Sequence, residues 1–285
     1  MGDMRGVVVG LGLLLLAATA RADDALIATV KQVENRLQAR VGVAVSDLSS
    51  GRAWRHNADQ RFPLASTFKV LACGALLHKV DAGEERLDRV IHYGEKDLVT
   101  YSPETSQHVD TGMSLGALCE AAITLSDNTA ANLVLGRIDG PAGLTLFLRG
   151  IGDDNTRLDR RETELNEGTP GDPRDTTTPD AMVATLGELL FGDVLGEDSR
   201  RQLLQWMKDD KVADAVLRAG IPGDWTIGDK TGTGGHGTRG IIAVMWPPGH
   251  GPVLAAIYLT ETDATLDQRN AAIADIGKAL AGVLP

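Results

Sequence analysis

Residues 225–260, WTIGDKTGTGGHGTRGIIAVMWPPGHGPVLAAIYLT, hold three short apolar and β-branched runs separated by segments rich in glycine and proline. The runs are Trp225–Thr231, Ile241–Trp246 and Val253–Thr260. Runs of this length bounded by turn-forming residues are typical of β-strands. We therefore expect this part of the chain to contribute three strands to a sheet.

The amino-terminal part predicts a helix followed by two strands. Between Asp24 and Gln38, apolar residues recur every three or four positions, which is the spacing of one helix face. Val41–Val45 then has the pattern of a strand. After the turn at Ser49–Gly51, Ala53–His56 can return beside it as an antiparallel partner.

The middle of the chain is mostly helical by the same spacing, so strands occur only towards its two ends. The helical patterns cover Phe68–Lys79, Ser114–Leu125, Ala130–Arg137, Gly143–Gly150 and Thr178–Leu190, and a last helix covers Leu266–Leu284. This order predicts an α/β fold in which one antiparallel sheet, built from both chain ends and flanked by helices, carries an inserted all-helical lobe. We assign residues 23–64 and 211–285 to the α/β lobe, and residues 65–210 to the helical lobe.

Composition excludes several classes of protein. The chain has 285 residues, is 43% hydrophobic and has a formal net charge of −11. This apolar fraction argues against disorder, and the acidic balance argues against a protein that binds nucleic acid.

Gly232–Gly237 has the spacing of a dinucleotide-binding loop, but a strand pattern follows it where that loop needs a helix. The six histidines have no metal-ligand spacing, so we expect no metal and no cofactor.

The first 22 residues predict a secretory signal. Arg5 precedes the apolar run Gly6–Ala18, which is shorter than the roughly 20 residues that cross a bilayer. Two cleavage sequences with alanines two apart follow, Ala18-Thr19-Ala20 and Ala20-Arg21-Ala22, and either fits. An uncleaved membrane anchor is the alternative. Export across the inner membrane to the periplasm, with no membrane attachment after cleavage, is the expectation.

Export also bears on the two cysteines, Cys73 and Cys119. In an oxidising compartment such a pair can form a structural disulfide, and we favour that bridge over the alternative of two buried free thiols. Two cysteines are too few for a disulfide scaffold or a zinc ribbon.

Three short motifs carry the chemistry. Ser66-Thr67-Phe68-Lys69 stands at a predicted helix start, where residues three apart share a face and the lysine amine can approach the serine hydroxyl. A serine needs such a neighbour to act as a nucleophile. Ser126-Asp127-Asn128 follows a helix, and Lys230-Thr231-Gly232 ends a strand. In this order the motifs are the set of the serine β-lactamases and penicillin-binding proteins.

With Glu162-Thr163-Glu164-Leu165-Asn166, the mature chain resembles the class A β-lactamases throughout. Many members of that family have proline after the glutamate, where this chain has Thr163, and this difference leaves the local peptide geometry open. The resemblance implies a monomeric hydrolase that opens the lactam ring of penicillins, and of some cephalosporins, through a serine acyl-enzyme, and so confers resistance. Its partner is a small β-lactam.

The resemblance also implies the role of each residue. Ser66 is the nucleophile, Glu162 is a general base that activates water, and Lys69 or Glu162 takes the proton during acylation. Ser126 passes a proton to the leaving nitrogen. The backbone N–H groups of Ser66 and Thr233 form the oxyanion hole, and Asn166 holds the water. Asn128 binds the substrate amide, and Tyr101 forms a wall of the cleft. The substrate carboxylate is bound by Lys230, Thr231 and Arg239 beside Gly232.

A long polar segment holds the proposed base. Residues 157–175 match the Ω-type loop of the family, and Arg160 and Asp175 match the pair that closes it. The alternative is an exposed ion pair, which contributes at most about 1 kcal/mol. Two other functions are alternatives. A cell-wall DD-peptidase shares the three motifs, and a non-catalytic β-lactam sensor would keep Ser66, lack a base for deacylation and usually be tethered to a membrane. The Glu162–Asn166 element favours the hydrolase over both.

Overall fold

The computed structural model describes residues 25–284. Its strands are β1 (Arg40–Asp47), β2 (Ala53–His56), β3 (Phe62–Pro63), β4 (Val90–Ile91), β5 (Met113–Ser114), β6 (Thr176–Thr177), β7 (Thr226–Thr233), β8 (Arg239–Trp246) and β9 (Val253–Thr260). One five-stranded antiparallel sheet forms the centre, in the order β2-β1-β9-β8-β7. Strands β3 and β6 form one small antiparallel pair, and β4 and β5 form another.

Eight α-helices surround or adjoin this sheet in the described part of the chain. They are α1 (25–37), α2 (Phe68–Asp81), α3 (Leu115–Thr124), α4 (Asn128–Arg137), α5 (Gly140–Gly150), α6 (Pro179–Phe191), α7 (Glu197–Lys208) and α8 (Leu266–Ala281). Two short 3-10 turns, Ala65–Thr67 and Glu164–Asn166, carry Ser66 and Asn166.

Two hydrophobic cores lie on opposite faces of the sheet because successive strand residues point to opposite sides. On β8, Ile241 and Ala243 pack with α1 and α8, whereas Ile242 and Val244 pack with the helices of the middle segment. Every residue of β9 is buried. Burial on both faces explains why these strands read as continuous apolar runs without polar alternation.

The predicted architecture is confirmed: an antiparallel sheet from both chain ends, flanked by helices, with a helical segment inserted between them. Strands β2 and β9 have the predicted bounds. Helix α8 ends at Ala281, three residues before the predicted end, and α7 was not predicted as a separate element. The lobe boundaries stay a prediction. The signal segment, residues 1–22, lies outside the described residues. Among residues 25–284, no helix is both long enough and apolar enough to cross a membrane.

The predicted disulfide is present. Cys73 on α2 and Cys119 on α3 are bonded, with their Cα atoms 5.7 Å apart, and both residues are fully buried. The alternative of two free thiols is therefore wrong. The bridge ties together two helices of the inserted segment.

Candidate active site

The turn that carries Ser66 packs directly against strand β7. The turn Ala65–Thr67 continues into α2, and Ala65 adopts a left-handed backbone with φ of 41°. A Cβ atom on Gly232 would lie only 3.0 Å from Ala65 Cβ, Leu64 O and Ser66 N. The glycine of the Lys-Thr-Gly motif therefore permits the close approach of this strand to the nucleophile's backbone.

Lys69 is fully buried one helical turn after Ser66. Its Nζ lies 3.1 Å from Glu162 Oε1 and donates to Asn128 Oδ1 at 2.6 Å and to the Ser126 carbonyl at 2.8 Å. Burial lowers the pKa of Lys69, and the Glu162 carboxylate opposes that shift. The lysine amine thus joins the Ser-x-x-Lys, Ser-Asp-Asn and Glu162 elements at one point.

The predicted contact between Lys69 and the Ser66 hydroxyl is not formed as a hydrogen bond. No residue within 25–284 hydrogen-bonds to that hydroxyl. The reason is competition: a carboxylate, an amide oxygen and a carbonyl oxygen surround the amine, and all are strong acceptors. No hydrogen bond within the described residues therefore orients the Ser66 side chain, and its position follows from the backbone that carries it.

Ser126 stands between α3 and α4 with a left-handed backbone, φ 60°. Its hydroxyl accepts a 3.1 Å hydrogen bond from Lys230 Nζ, which also donates to the Thr231 carbonyl at 2.9 Å. Burial lowers the pKa of Lys230 to about 7, and the nearby Lys69 and Arg239 add to that shift while Asp210 opposes it. Lys230 therefore titrates near neutrality beside the hydroxyl it touches.

The middle residue of Ser-Asp-Asn holds the motif in place, which sequence reasoning missed. Asp127 is fully buried and caps α4 by accepting from Ala130 N. It also accepts from the backbone N–H groups of Glu104 and Thr105. An aspartate directly before a helix is a readable capping signal, but the second pair of donors comes from a distant loop.

Glu162 is held by two asparagines. Asn166 Nδ2 donates to Glu162 Oε2 at 2.5 Å, and the Asn132 amide bonds to both the N–H and the carbonyl of Glu162 at 2.9 Å. The Asn166 Oδ1 atom is buried without a hydrogen-bond partner in the described part of the chain. The Glu162–Thr163 peptide is cis. The sequence left this peptide geometry open because Thr163 stands where many family members have proline. Asn132 was missed, although it lies one helical turn after Asn128.

The Arg160–Asp175 pair joins the two ends of the loop. Asp175 is fully buried and accepts from Arg160 Nε at 2.6 Å, Arg160 N at 2.9 Å and Asp159 N at 2.7 Å. Arg160 also pairs with Glu167. With a buried carboxylate that receives three donors, this pair differs from the exposed ion pair that was the alternative.

Arg239 is the third basic side chain of the site, after Lys69 and Lys230. Its Nη1 donates to Thr233 Oγ1 at 2.9 Å, and its Nε donates to Asn270 Oδ1 at 2.8 Å. Burial lowers the pKa of Arg239 to about 10, so it is still charged at neutral pH. Asn270 on α8 was not predicted, because its contact depends on a helix that packs over the strand.

These side chains face a cleft of about 440 Å³. Tyr101, 56% exposed, stands at its mouth. The predicted residues along its walls are Ser66, Tyr101, Ser126, Asn128, Asn166, Thr231, Gly232, Thr233 and Arg239, and the unpredicted ones are Val212, Ala215, Leu266 and Asn270. Lys69, Glu162 and Lys230 lie behind this wall, each in contact with a residue that lines it. Within residues 25–284, no three His, Cys, Asp or Glu side chains are grouped so that they could hold a metal ion.

Comparison with known proteins gives one consistent result. The model of the β-lactamase enzyme family matches residues 25–284. An ancestral class A β-lactamase is 57% identical over 90% of this chain and 98% of its own, with a TM-score of 0.88. The last common ancestor of the class A β-lactamases of Gram-negative bacteria is 56% identical over 90% and 98%, with a TM-score of 0.89. The putative class A β-lactamase PenP from Rhodopseudomonas palustris is 53% identical over 91% and 100%, with a TM-score of 0.90.

Proposed function

Because the chain belongs to the β-lactamase enzyme family and is a class A β-lactam hydrolase, we propose that it hydrolyses penicillins, and some cephalosporins, through an acyl-enzyme on Ser66. The observation that carries this proposal is the contact of buried Lys69, one helical turn from Ser66, with buried Glu162, whose carboxylate also accepts from Asn166. It combines a base for attack with a second base that can activate water. Hydrolysis of these antibiotics would confer resistance on the cell.

In acylation, Ser66 Oγ bonds to the lactam carbonyl carbon and the ring C–N bond breaks. The hydroxyl proton passes to Lys69 or Glu162, which are 3.1 Å apart and can share it. The leaving nitrogen takes a proton from the Ser126 hydroxyl, which also accepts a hydrogen bond from Lys230. Ser126 recovers a proton from Lys69, whose Nζ lies 3.4 Å from Ser126 Oγ, so the proton lost by Ser66 is passed on. The backbone N–H groups of Ser66 and Thr233 stabilise the oxyanion, and such donors contribute about 2.7–4 kcal/mol each.

In deacylation, Glu162 takes a proton from a water molecule whose oxygen attacks the acyl carbon, and Ser66 leaves with a proton. Asn166 supports this role, because its Nδ2 bonds to the carboxylate while its buried Oδ1 is available to accept from water. Clasped by Arg160 and Asp175, the loop keeps the carboxylate at a fixed distance from the nucleophile. A base on a mobile loop would lose this advantage of orientation.

The substrate's carboxylate and amide have matching partners. We assign the carboxylate to Lys230, Thr231 and Arg239, a local cationic group in a chain of net charge −11. We assign the substrate amide to Asn128. Its Nδ2 donates one hydrogen bond to the Thr100 carbonyl oxygen at 2.8 Å and has a second N–H to donate. Tyr101 forms the apolar wall of the cleft.

Turnover of benzylpenicillin by the purified protein tests the proposal. Sustained ring opening in excess substrate, followed by absorbance, is expected of a hydrolase. A single stoichiometric burst with a stable adduct on Ser66 would instead favour a DD-peptidase or a β-lactam sensor. The Glu162–Asn166 pair argues against both, since it offers a base that can activate water to clear the penicillin adduct.

The variant Glu162→Ala separates the two halves of the cycle. Without the carboxylate, acylated Ser66 should persist for at least about a hundred times longer than in wild type, because general-base catalysis contributes roughly 10²–10⁴-fold. Intact-mass spectrometry after mixing with benzylpenicillin should show the adduct on the variant and none on wild type. Rapid clearance by the variant would contradict the role of Glu162.

Export, removal of residues 1–22 and a periplasmic monomer complete the proposal. The apolar run with its alanine cleavage sequences and the bonded cysteine pair are what support export.

A further inference from the structure

Two buried hydroxyl groups run in series from the centre of the sheet to the turn that carries Ser66. The Tyr258 hydroxyl lies 3.0 Å from Thr67 Oγ1, and Thr67 Oγ1 donates to the Leu64 carbonyl oxygen at 2.7 Å. A hydroxyl has one hydrogen, so Tyr258 is the donor in the first bond. Tyr258 is 1% exposed and Thr67 0%.

The sheet makes room for the Tyr258 ring at this position. Tyr258 lies on the central strand β9, in register with Gly42 on one neighbouring strand and Gly240 on the other. A Cβ on Gly240 would lie 2.7 Å from the Tyr258 ring, and a Cβ on Gly42 would lie 2.3 Å from Phe62, which stacks on Tyr258 at 6.1 Å. The two glycines therefore leave the space that the Tyr258 ring and its neighbour Phe62 fill.

The Ser66 turn depends on such external support. Ala65 has a left-handed backbone, a conformation that persists only where the surroundings impose it. Leu64 N donates to the Asp175 carbonyl at 2.8 Å, which ties one side of the turn to the Ω-type loop. The Tyr258–Thr67–Leu64 hydroxyl chain ties the other side to the sheet. Since no described residue holds the Ser66 hydroxyl, these backbone anchors decide where it lies.

We propose that Tyr258 is a positioning residue for the nucleophile, acting through Thr67 on the backbone of the Ser66 turn. Tyr258 does not touch the substrate. The inference rests on the proposed serine mechanism. Loss of its hydroxyl loosens the turn and slows attack on the lactam, because small displacements of a nucleophile are costly. Deacylation depends on water held by Glu162 and Asn166, which the hydroxyl chain does not contact.

Tyr258→Phe tests this directly, because it keeps the ring and removes only the hydroxyl. In stopped-flow single-turnover reactions with benzylpenicillin, we expect the acylation rate constant to fall about tenfold and deacylation to change less than twofold. Thr67→Val, which breaks the same chain, should give a similar loss, and Thr67→Ser should recover most of it. Tyr258→Phe added to Thr67→Val should cost little more.

Thr185→Val is the matched control. Thr185 lies on α6, and its buried hydroxyl donates to Asp153 at 2.8 Å. Removal of that hydroxyl should lower stability without slowing acylation. Acylation at the wild-type rate in Tyr258→Phe would overturn the proposal. Should Tyr258→Phe fail to fold, equal acylation by Thr67→Val and Thr67→Ser would overturn it. Ring opening at the wild-type rate by Ser66→Ala would instead refute the serine mechanism itself.

Discussion

At the scale of single residues, the buried Lys230 predicts how activity depends on pH. Its pKa of about 7 lies more than three units below that of a free lysine, because burial disfavours the ammonium. As pH rises through this value the lysine loses its charge, and with it the attraction for the substrate carboxylate. We therefore expect kcat/KM for benzylpenicillin to fall above pH about 7, approaching tenfold per unit, since kcat/KM reports groups of the free enzyme.

Replacement of Lys230 tests whether this residue causes the fall of kcat/KM at alkaline pH. A guanidinium stays charged throughout the working range, so Lys230→Arg should move the alkaline midpoint upward by at least one pH unit, whatever it does to the maximum rate. Lys211→Arg, at an exposed position near the cleft, should leave the midpoint unchanged. An identical alkaline limb in wild type and Lys230→Arg would assign that limb to another group.

At the scale of elements, the closed Ω-type loop predicts a split between the two chemical steps. Asp175→Asn keeps the shape of the side chain but removes the charge opposite Arg160 and puts an amide where three donors need acceptors. Breaking a buried pair in this way costs about 3 kcal/mol of stability. We expect a lower melting temperature and deacylation slowed at least about tenfold, as Glu162 loses its fixed position.

Asp172→Asn is the control in the same loop. Asp172 pairs with Arg174, which is half exposed, so the same chemical change should cost little there. Single-turnover acylation and deacylation, with thermal melts, should be measured for both variants. Wild-type turnover with an unchanged melting temperature in Asp175→Asn would mean that the Arg160–Asp175 pair does not hold Glu162 in place.

Elements with local signals were predictable, and those that depend on tertiary contact were not. Helix α2 was recognised from the spacing of its apolar residues, and every residue from Phe68 to Leu77 is buried in the structure. Helix α7 is an exception, because it was missed although its buried residues Ser199, Leu203, Trp206 and Met207 have the i, i+4, i+7, i+8 spacing of one helix face. The left-handed turn at Ala65 has no sequence signal, because contacts from other elements impose it.

The same division applies to the site. The three motifs were readable because each is contiguous in sequence. Asn132 and Asn270 were not, because each meets its partner about thirty residues away along the chain. The contact expected between Lys69 and Ser66 failed for a related reason. Helical spacing brings the two side chains to one face, but acceptors on two other segments, Asn128 and Glu162, determine where the amine points.

At the scale of the whole molecule, the site lies where the inserted helices meet the sheet, so its geometry depends on the helices keeping their mutual positions. The disulfide between α2 and α3 contributes to this. It closes a segment with a sequence separation of 46 residues, which in the chain-entropy model stabilises the fold by about 4 kcal/mol. Neither cysteine lines the cleft.

The double variant Cys73→Ala/Cys119→Ala should therefore lose stability while keeping its catalytic rate. We expect urea unfolding at 25 °C to give a free energy lower by about 4 kcal/mol, to which the small cavities left by two sulfurs add. The kcat for benzylpenicillin should stay within twofold below the unfolding midpoint, because Lys69 and Glu162 do not depend on the sulfurs for their contacts. A large fall in kcat without loss of stability would show instead that the bridge adjusts α2, and Lys69 with it, rather than restricting the unfolded chain.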